Sequence, residues 1–490
     1  MHFSYKPLTL LCILLLGLLL SCQSKQGTNL QNLIGTKMSS ATLDKYLDDQ
    51  MQAMNIPGLA VAVINNGKVV YHRVKGYADK EHKIKVDKQT IFEGASMSKS
   101  VFAHFTMKLV EQGKLDLDKP LYRYLPYPDI AYDPRYKKIT ARMVLSHRSG
   151  FPNWRTDYKD KGGKLFIQFE PGTNYHYSGE GYQYLAMVLK QLLNTDWRGL
   201  DTKIREEIML PLGMEHTRFI QDSYNVQHKA KPYDRKGQLI DPKYKKPDSL
   251  FVAPASIHSE PMEFSKWLIE MMNRRGLQKA SFGEMLKPHS KIPFPIPLEL
   301  QYTLGFFNYA FPFGNFYMHG GNNEGFTCMF ALEQDKKWGF VVFTNSEFGE
   351  DLGSLMQLYF INGWRLNKYL WLAAFVVFAF LALLINGIML LRKTKHRLVS
   401  KYLFRAGLMA LLAVFFFLFL SAYTSIHYSQ AGHLLFQGMY YGLAIAIAIQ
   451  LYFTTRQLID LRKNQEIGWF KVIFQTLLIL GVLVTGVVFL

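Results

Sequence analysis

Apolar residues recur along this chain in three rhythms, and each rhythm assigns its own stretch. Between residues 41 and 55, Leu43, Tyr46, Leu47, Met51 and Met54 follow the three-to-four spacing of a helix with one buried face. Pro57 ends that pattern. Residues 58–64 form a short β-branched apolar run, Asn66-Gly67 follows, and residues 68–75 resume the run. An Asn-Gly pair between two such runs predicts a β-hairpin, because both positions tolerate positive φ. Short apolar runs return at the far end, where residues 303–309, 316–319, 325–332 and 339–344 read as strands and 352–363 as a helix. Helical spacing dominates between the two groups. The expected unit over residues 41–363 is therefore α/β (α+β), one antiparallel sheet built from both ends with a helical insertion. The charged, turn-rich stretch 231–247 is expected as a surface loop.

The third rhythm has no polar beat. Residues 369–391, 403–423, 434–453 and 472–490 are each apolar over a length that spans a bilayer as a helix, with only Arg405 at one edge. Residues 366–490 thus read as a four-helix transmembrane domain. Arg392, Lys393, Lys395, Arg397 and Lys401 lie between the first and second spans; Arg456, Arg462, Lys463 and Lys471 lie between the third and fourth. The 424–433 loop has neither Lys nor Arg. The positive-inside rule then makes the two basic loops cytoplasmic and everything before the first span extracytoplasmic. The other end agrees. Lys6, an apolar stretch over residues 8–20 and Ser21-Cys22 read as an export signal, too short to span. Leu19-Leu20-Ser21-Cys22 resembles a bacterial lipobox, with Leu20 where a small residue is usual, so Cys22 is the expected lipidation site. Residues 23–40 are polar and suit a tether. The expected location is the bacterial inner membrane, with membrane lipid as a partner.

The net charge of +19 suggests nucleic acid until it is located. From residue 366 onward there are 11 Lys/Arg against 2 Asp/Glu, so about half the excess sits beside the apolar runs and nucleic acid is not an expected partner. A hydrophobic fraction of 49% excludes a disordered chain. Of the three cysteines, Cys12 and Cys22 lie in or at the edge of the leader, so Cys328 has no partner for an intrachain disulfide.

The chain has no H-E-x-x-H, no zinc-knuckle cysteine pair, no Walker loop and no G-x-G-x-x-G. No metal or cofactor is expected. Gly94-Ala95-Ser96-Met97-Ser98 ends in Ser where the G-x-S-x-G elbow needs Gly. Ser96-Met97-Ser98-Lys99, read as the first turn of a helix running to about Gln112, places Ser96 and Lys99 on one face. A serine hydroxyl is a weak nucleophile until a base takes its proton, and a lysine serves only if its pKa is lowered. A lone S-x-x-K equally describes a helix start with an exposed lysine.

The surrounding sequence resembles the serine β-lactamase-related family, which includes class C β-lactamases, D-Ala-D-Ala carboxypeptidases, D-aminopeptidases and esterases. Residues 92–99 and 109–118 carry the likeness, as do Leu145-Ser146-His147-Arg148-Ser149-Gly150, Glu170-Pro171-Gly172-Thr173, Tyr177-Ser178, Pro211-Leu212-Gly213 and His319-Gly320-Gly321. The resemblance covers about 41–363. It implies a β-lactamase/transpeptidase-like fold, Ser96 as the acylated nucleophile, Lys99 as its base and Tyr177 as the tyrosine of the Y-x-N motif. Gly179 stands where that motif has Asn, and Glu180 is a candidate to replace it or a structural residue. His319-Gly320-Gly321 stands where the family has Lys-Thr-Gly. Its glycines are expected to let a substrate backbone approach, and the N–H of Asn322 to join that of Ser96 in an oxyanion hole. His147 is assigned to structure. The expected function is a membrane-anchored serine hydrolase of an amide or ester, such as a D-residue peptide or cell-wall fragment. The rivals are a receptor with an acylating domain and a degenerate binding module.

Overall fold

The computed structural model describes residues 30–240, 251–292, 299–311 and 314–362. Eleven strands are present among them: β1 (Gly58–Asn65), β2 (Lys68–Asp79), β3 (Ile84–Lys85), β4 (Phe92–Ala95), β5 (Ile257–Ser259), β6 (Ser290–Ile292), β7 (Glu299–Tyr302), β8 (Phe307–Phe311), β9 (Gly314–Asn323), β10 (Phe326–Glu333) and β11 (Trp338–Thr344). Nine of them form one sheet in the order β3-β2-β1-β11-β10-β9-β8-β7-β6, antiparallel throughout. β4 and β5 form a separate two-stranded ribbon. The pairing of β1 with β11 joins the two ends of the chain segment, as the hydrophobic pattern predicts. The helices are α1 (Ser40–Ala53), α2 (Ser98–Glu111), α3 (Ala141–Leu145), α4 (Gly179–Leu192), α5 (Trp197–Ile204), α6 (Ser223–His228), α7 (Pro261–Met272), α8 (Lys279–Leu286) and α9 (Gly349–Asn362).

Alternation along β1 divides the core. Leu59, Val61 and Val63 pack with α1 and α9 on one face of the sheet, whereas Ala60, Ala62 and Ile64 face α2, α7 and the helical insertion. With both faces covered, β1 has no polar face to show, which is why its sequence is a continuous apolar run.

Three departures from the sequence pattern have physical causes. The strand expected over 303–309 is broken. Gly305 takes φ +95° in a turn whose carbonyl accepts from Ser100 Oγ at 2.6 Å, and a Cβ there would lie 2.6 Å from Ala103 Cβ. That turn is pressed onto α2. The last part of the expected tether is also folded: Leu30 and Leu33 are buried, Leu33 N donates to Phe360 O at 3.0 Å, and the Trp338 indole donates to Gln31 O at 2.9 Å. Two leucines in a polar stretch suffice to dock it; residues 23–29 lie outside the described residues. Finally, Tyr233 anchors the expected surface loop. Its buried hydroxyl accepts from Lys80 N at 2.6 Å and donates to Glu81 Oε2 at 2.5 Å. The leader with Cys22 and the four expected spans lie outside the described residues; no described helix is long and apolar enough to cross a membrane.

Candidate active site

β4 ends at Ala95 with φ +40°, a left-handed conformation that costs a residue with a Cβ about 1–2 kcal/mol. The bend turns Ser96 out of the ribbon and leaves it half-buried, and α2 begins two residues later. Ser96 thus precedes the helix instead of lying in its first turn. It still faces Lys99, because the entry is tight: Lys99 N donates to Ser96 O at 3.1 Å and Ser100 N to Met97 O at 3.2 Å.

Lys99 is 1% exposed. Its Nζ lies 3.0 Å from Ser96 Oγ and 3.0 Å from the carbonyl oxygen of Pro254. Burial moves the amine well below its ordinary pKa. A neutral amine with one N–H held by Pro254 has its lone pair free for the serine proton. Ser98, the neighbouring hydroxyl, is unsuited to nucleophilic attack. It is fully buried, donates to Ala95 O at 2.5 Å and accepts from Ile257 N at 2.9 Å, tying β4 to β5.

Tyr177 reaches the pair from the start of α4, its ring centroid 4.6 Å from Lys99 Nζ. The following residue fixes it. Ser178 Oγ caps α4 by accepting from Gly181 N at 3.0 Å, and Ser178 N donates to His147 Nδ1 at 3.0 Å. That bond places the His147 proton on Nε2. His147 sits at φ +59°, fully buried, with its ring 4.2 Å from that of Tyr177. Burial, then the nearby Lys99, hold its pKa well below the usual range. Its structural assignment stands, with the added point that what it holds is the Tyr177 backbone.

The structure assigns other parts than expected to His319 and Glu180. His319 is 1% exposed; its Nδ1 lies 2.6 Å from Gly320 O and its Nε2 3.0 Å from Tyr302 OH. Nδ1 therefore carries the proton and Nε2 accepts. Burial, followed by Lys99, pushes its pKa down to about 3. It is a neutral brace inside the wall, not a substrate-facing group. Both carboxylate oxygens of Glu180 are taken by Arg155: Oε1 accepts from its N and Nε at 3.0 Å each, and Oε2 from Nη2 at 2.9 Å. Glu180 is structural.

The glycines after His319 also serve the protein itself. A Cβ on Gly321 would lie 2.6 Å from Gly94 O and 2.6 Å from Cys328 Sγ, so the bare backbone lets β9 lie against β4. A Cβ on Gly320 would meet Met329 at 3.4 Å, an ordinary contact. Asn322, next to Gly321 in β9, is exposed. Asn323, which sequence reasoning passed over, clamps β9 to β4: its Nδ2 donates to Glu93 Oε2 at 2.5 Å and to Ala255 O at 3.1 Å. Glu93 in turn pairs with Lys229 at 2.5 Å, and although burial opposes ionisation, Lys229 and His258 bring its pKa down to about 2. Tyr302 and Pro254 were missed as well. A tyrosine in a strand and a backbone carbonyl carry no sequence signal.

The beta-lactamase family profile matches residues 43–358, a stretch that includes Ser96, Lys99, Tyr177 and His319. The chain belongs to the beta-lactamase family. Among curated proteins it is 24% identical over 408 residues to protein flp of Staphylococcus aureus strain MW2, covering 75% of this chain and 80% of that one. Two of the solved structures that share the fold serve as examples. One is the octameric penicillin-binding protein homologue from Pyrococcus abyssi, with a TM-score of 0.57, 23% identity, and coverage of 66% of this chain and 78% of that one. The other is the D-amino acid amidase from Ochrobactrum anthropi SV3 complexed with D-phenylalanine, with a TM-score of 0.52, 22% identity, and coverage of 65% and 97%. The beta-lactamase match stops inside α9, so residues 363–490 lie beyond it.

Proposed function

We propose that this chain is a serine hydrolase that transfers an acyl group from an ester or amide to Ser96 and then to water. The observation that carries the reading is the buried Lys99 amine 3.0 Å from Ser96 Oγ. Lys99 takes the hydroxyl proton as Oγ bonds to the substrate carbonyl carbon. The oxyanion forms between the N–H groups of Ser96 and Asn322. The Lys99–Tyr177 pair then delivers the proton to the leaving alcohol or amine, and Ser96 is left acylated. Water attacks the acyl carbon in the second half, giving its proton to Lys99, which passes it to Ser96 Oγ as the acyl–Oγ bond breaks and the acid leaves. Lys99, His147 and His319 are all held towards neutrality, which supports a substrate whose reacting end carries no carboxylate. A D-residue amide or ester, or an amidated wall fragment, meets that condition, and the likeness to a D-amino acid amidase supports it.

The reading includes a membrane-anchored enzyme with this domain outside the cytoplasm. Its support is the four apolar stretches, the basic loops between them and the export signal with Cys22. The test is covalent labelling of the full-length protein in detergent with a fluorophosphonate, read by intact mass. Native protein and Ser98→Ala should gain one adduct, and Ser96→Ala none. A labelled Ser96→Ala protein would overturn the assignment.

A further inference from the structure

The position two residues after Tyr177 is a glycine, and the space beside it is already occupied. A Cβ on Gly179 would lie 2.9 Å from Trp154 Cη2, 3.0 Å from Trp154 Cζ2 and 3.0 Å from Asn153 O. Ser178 between them is extended, at φ −140° and ψ 115°, so side chains at 177 and 179 project to the same side. The six-membered edge of the Trp154 indole therefore stands on the side of the backbone to which the Tyr177 phenol projects.

The indole is held there by its neighbours in sequence. Asn153 O accepts from the N–H groups of Gly179 and Glu180, each at 3.0 Å, and Asn153 Oδ1 accepts from Gly179 N at 3.1 Å. On the other flank, Arg155 forks onto Glu180. Two sequence-adjacent anchors fix the backbone of Trp154, while its side chain stays half-buried and half-open. Phe307 lies nearly parallel to the Tyr177 ring, at 10° with centroids 6.3 Å apart. The rings of Tyr177 and Phe307 thus stand beside Lys99, the Trp154 edge fills the space at Gly179, and position 179 has no side chain with which to offer a hydrogen bond.

We propose that Trp154 determines specificity on the acyl side of the substrate, its indole seating an aromatic or branched apolar group of the acyl portion. The proposal rests on the acyl-enzyme reading of Ser96 and names the substrate feature that reading leaves open. A ring laid against the indole leaves water on one face, and burying a side chain of that size changes affinity by about tenfold or more. A small acyl group gains little from the same surface.

The experiment compares p-nitrophenyl phenylacetate with p-nitrophenyl acetate on the full-length enzyme in detergent. The native enzyme should favour the phenylacetyl ester by roughly tenfold in kcat/KM. In Trp154→Ala that ratio should collapse, with the loss residing in KM for the aromatic ester, and Trp154→Phe should restore most of it. A native enzyme without the preference would overturn the proposal. So would a Trp154→Ala or Trp154→Phe protein that loses both esters in equal proportion, since a merely structural tryptophan would act that way. Failure of the underlying reading has a different signature: turnover of either ester that survives Ser96→Ala.

Discussion

Acidification from pH 7 to pH 5 should weaken this domain through His319, by an amount that its surroundings determine. The imidazole has an ordinary pKa of 6.5 when the chain is unfolded and about 3 in the folded wall, where burial and Lys99 oppose its charge. The folded state therefore holds the neutral form and the unfolded state binds a proton first. Stability from this group is complete above pH 6.5 and is lost as pH falls toward 3. Each pH unit in that window removes about 1.4 kcal/mol, so pH 5 costs about 2 kcal/mol, and the ceiling at pH 3 is about 5 kcal/mol. His104, also held to about 3 by burial, adds a loss of the same sign, so the native slope contains more than one proton. The clean variant is Tyr302→Phe/His319→Phe, which removes donor and acceptor together. His319→Phe alone takes away the 3.0 Å acceptor of the buried Tyr302 hydroxyl and should cost about 1–3 kcal/mol at every pH. Urea midpoints of the full-length protein, followed by intrinsic fluorescence at pH 7 and pH 5, measure both effects. The double variant should lose about 2 kcal/mol less than native on acidification. An identical loss in the two proteins would refute the buried, neutral assignment of His319.

Lys99→Arg keeps a cation that cannot be deprotonated, so single-turnover acylation should fall by about 10²–10⁴-fold; near-native acylation would mean that another group is the base. Glu180→Gln should lower stability in a urea titration by about 1–3 kcal/mol through the lost Arg155 fork while fluorophosphonate labelling continues; lost labelling at native stability would return Glu180 to the cleft. Gly321→Ala drives a Cβ to 2.6 Å from Gly94 O, and both stability and labelling rate should drop, because β9 and β4 must part beside Ser96. A reporter active only outside the cytoplasm should work after Gly363, within 424–433 or after Leu490, and fail within 393–401; activity in that basic loop would reverse the proposed topology.

The residues legible in sequence are those whose chemistry is local. Ser96 and Lys99 are three apart, so one tight turn brings them together, and Tyr177 comes with a family motif. The sheet was legible because β1 and β11 are apolar up to their last residues, Asn65 and Thr344. Burial and contact across the chain were not. His319 reads as a cleft residue from its place before two glycines, yet Tyr302, 17 residues earlier, turns it into a buried acceptor. Gly321 reads as room for a substrate, and only the ribbon strand passing behind it shows that the room is filled. Ser98 looks equivalent to Ser96 until Ile257, 159 residues on, is seen to bond to it. Trp154 gave no signal at all, because its role depends on a side chain that position 179 lacks.

The bond from Leu33 N to Phe360 O closes the domain into a near ring, since both of its ends leave from one corner. A linker of about five residues is long enough to join 362 to 30. New ends could then be opened at the exposed Gly162-Gly163 pair without cutting a strand. The same closure has a mechanical side. Tension on the two ends would be applied across β11, α9 and the docked leucines, in the core cluster on the other face of the sheet from the helix that follows Ser96.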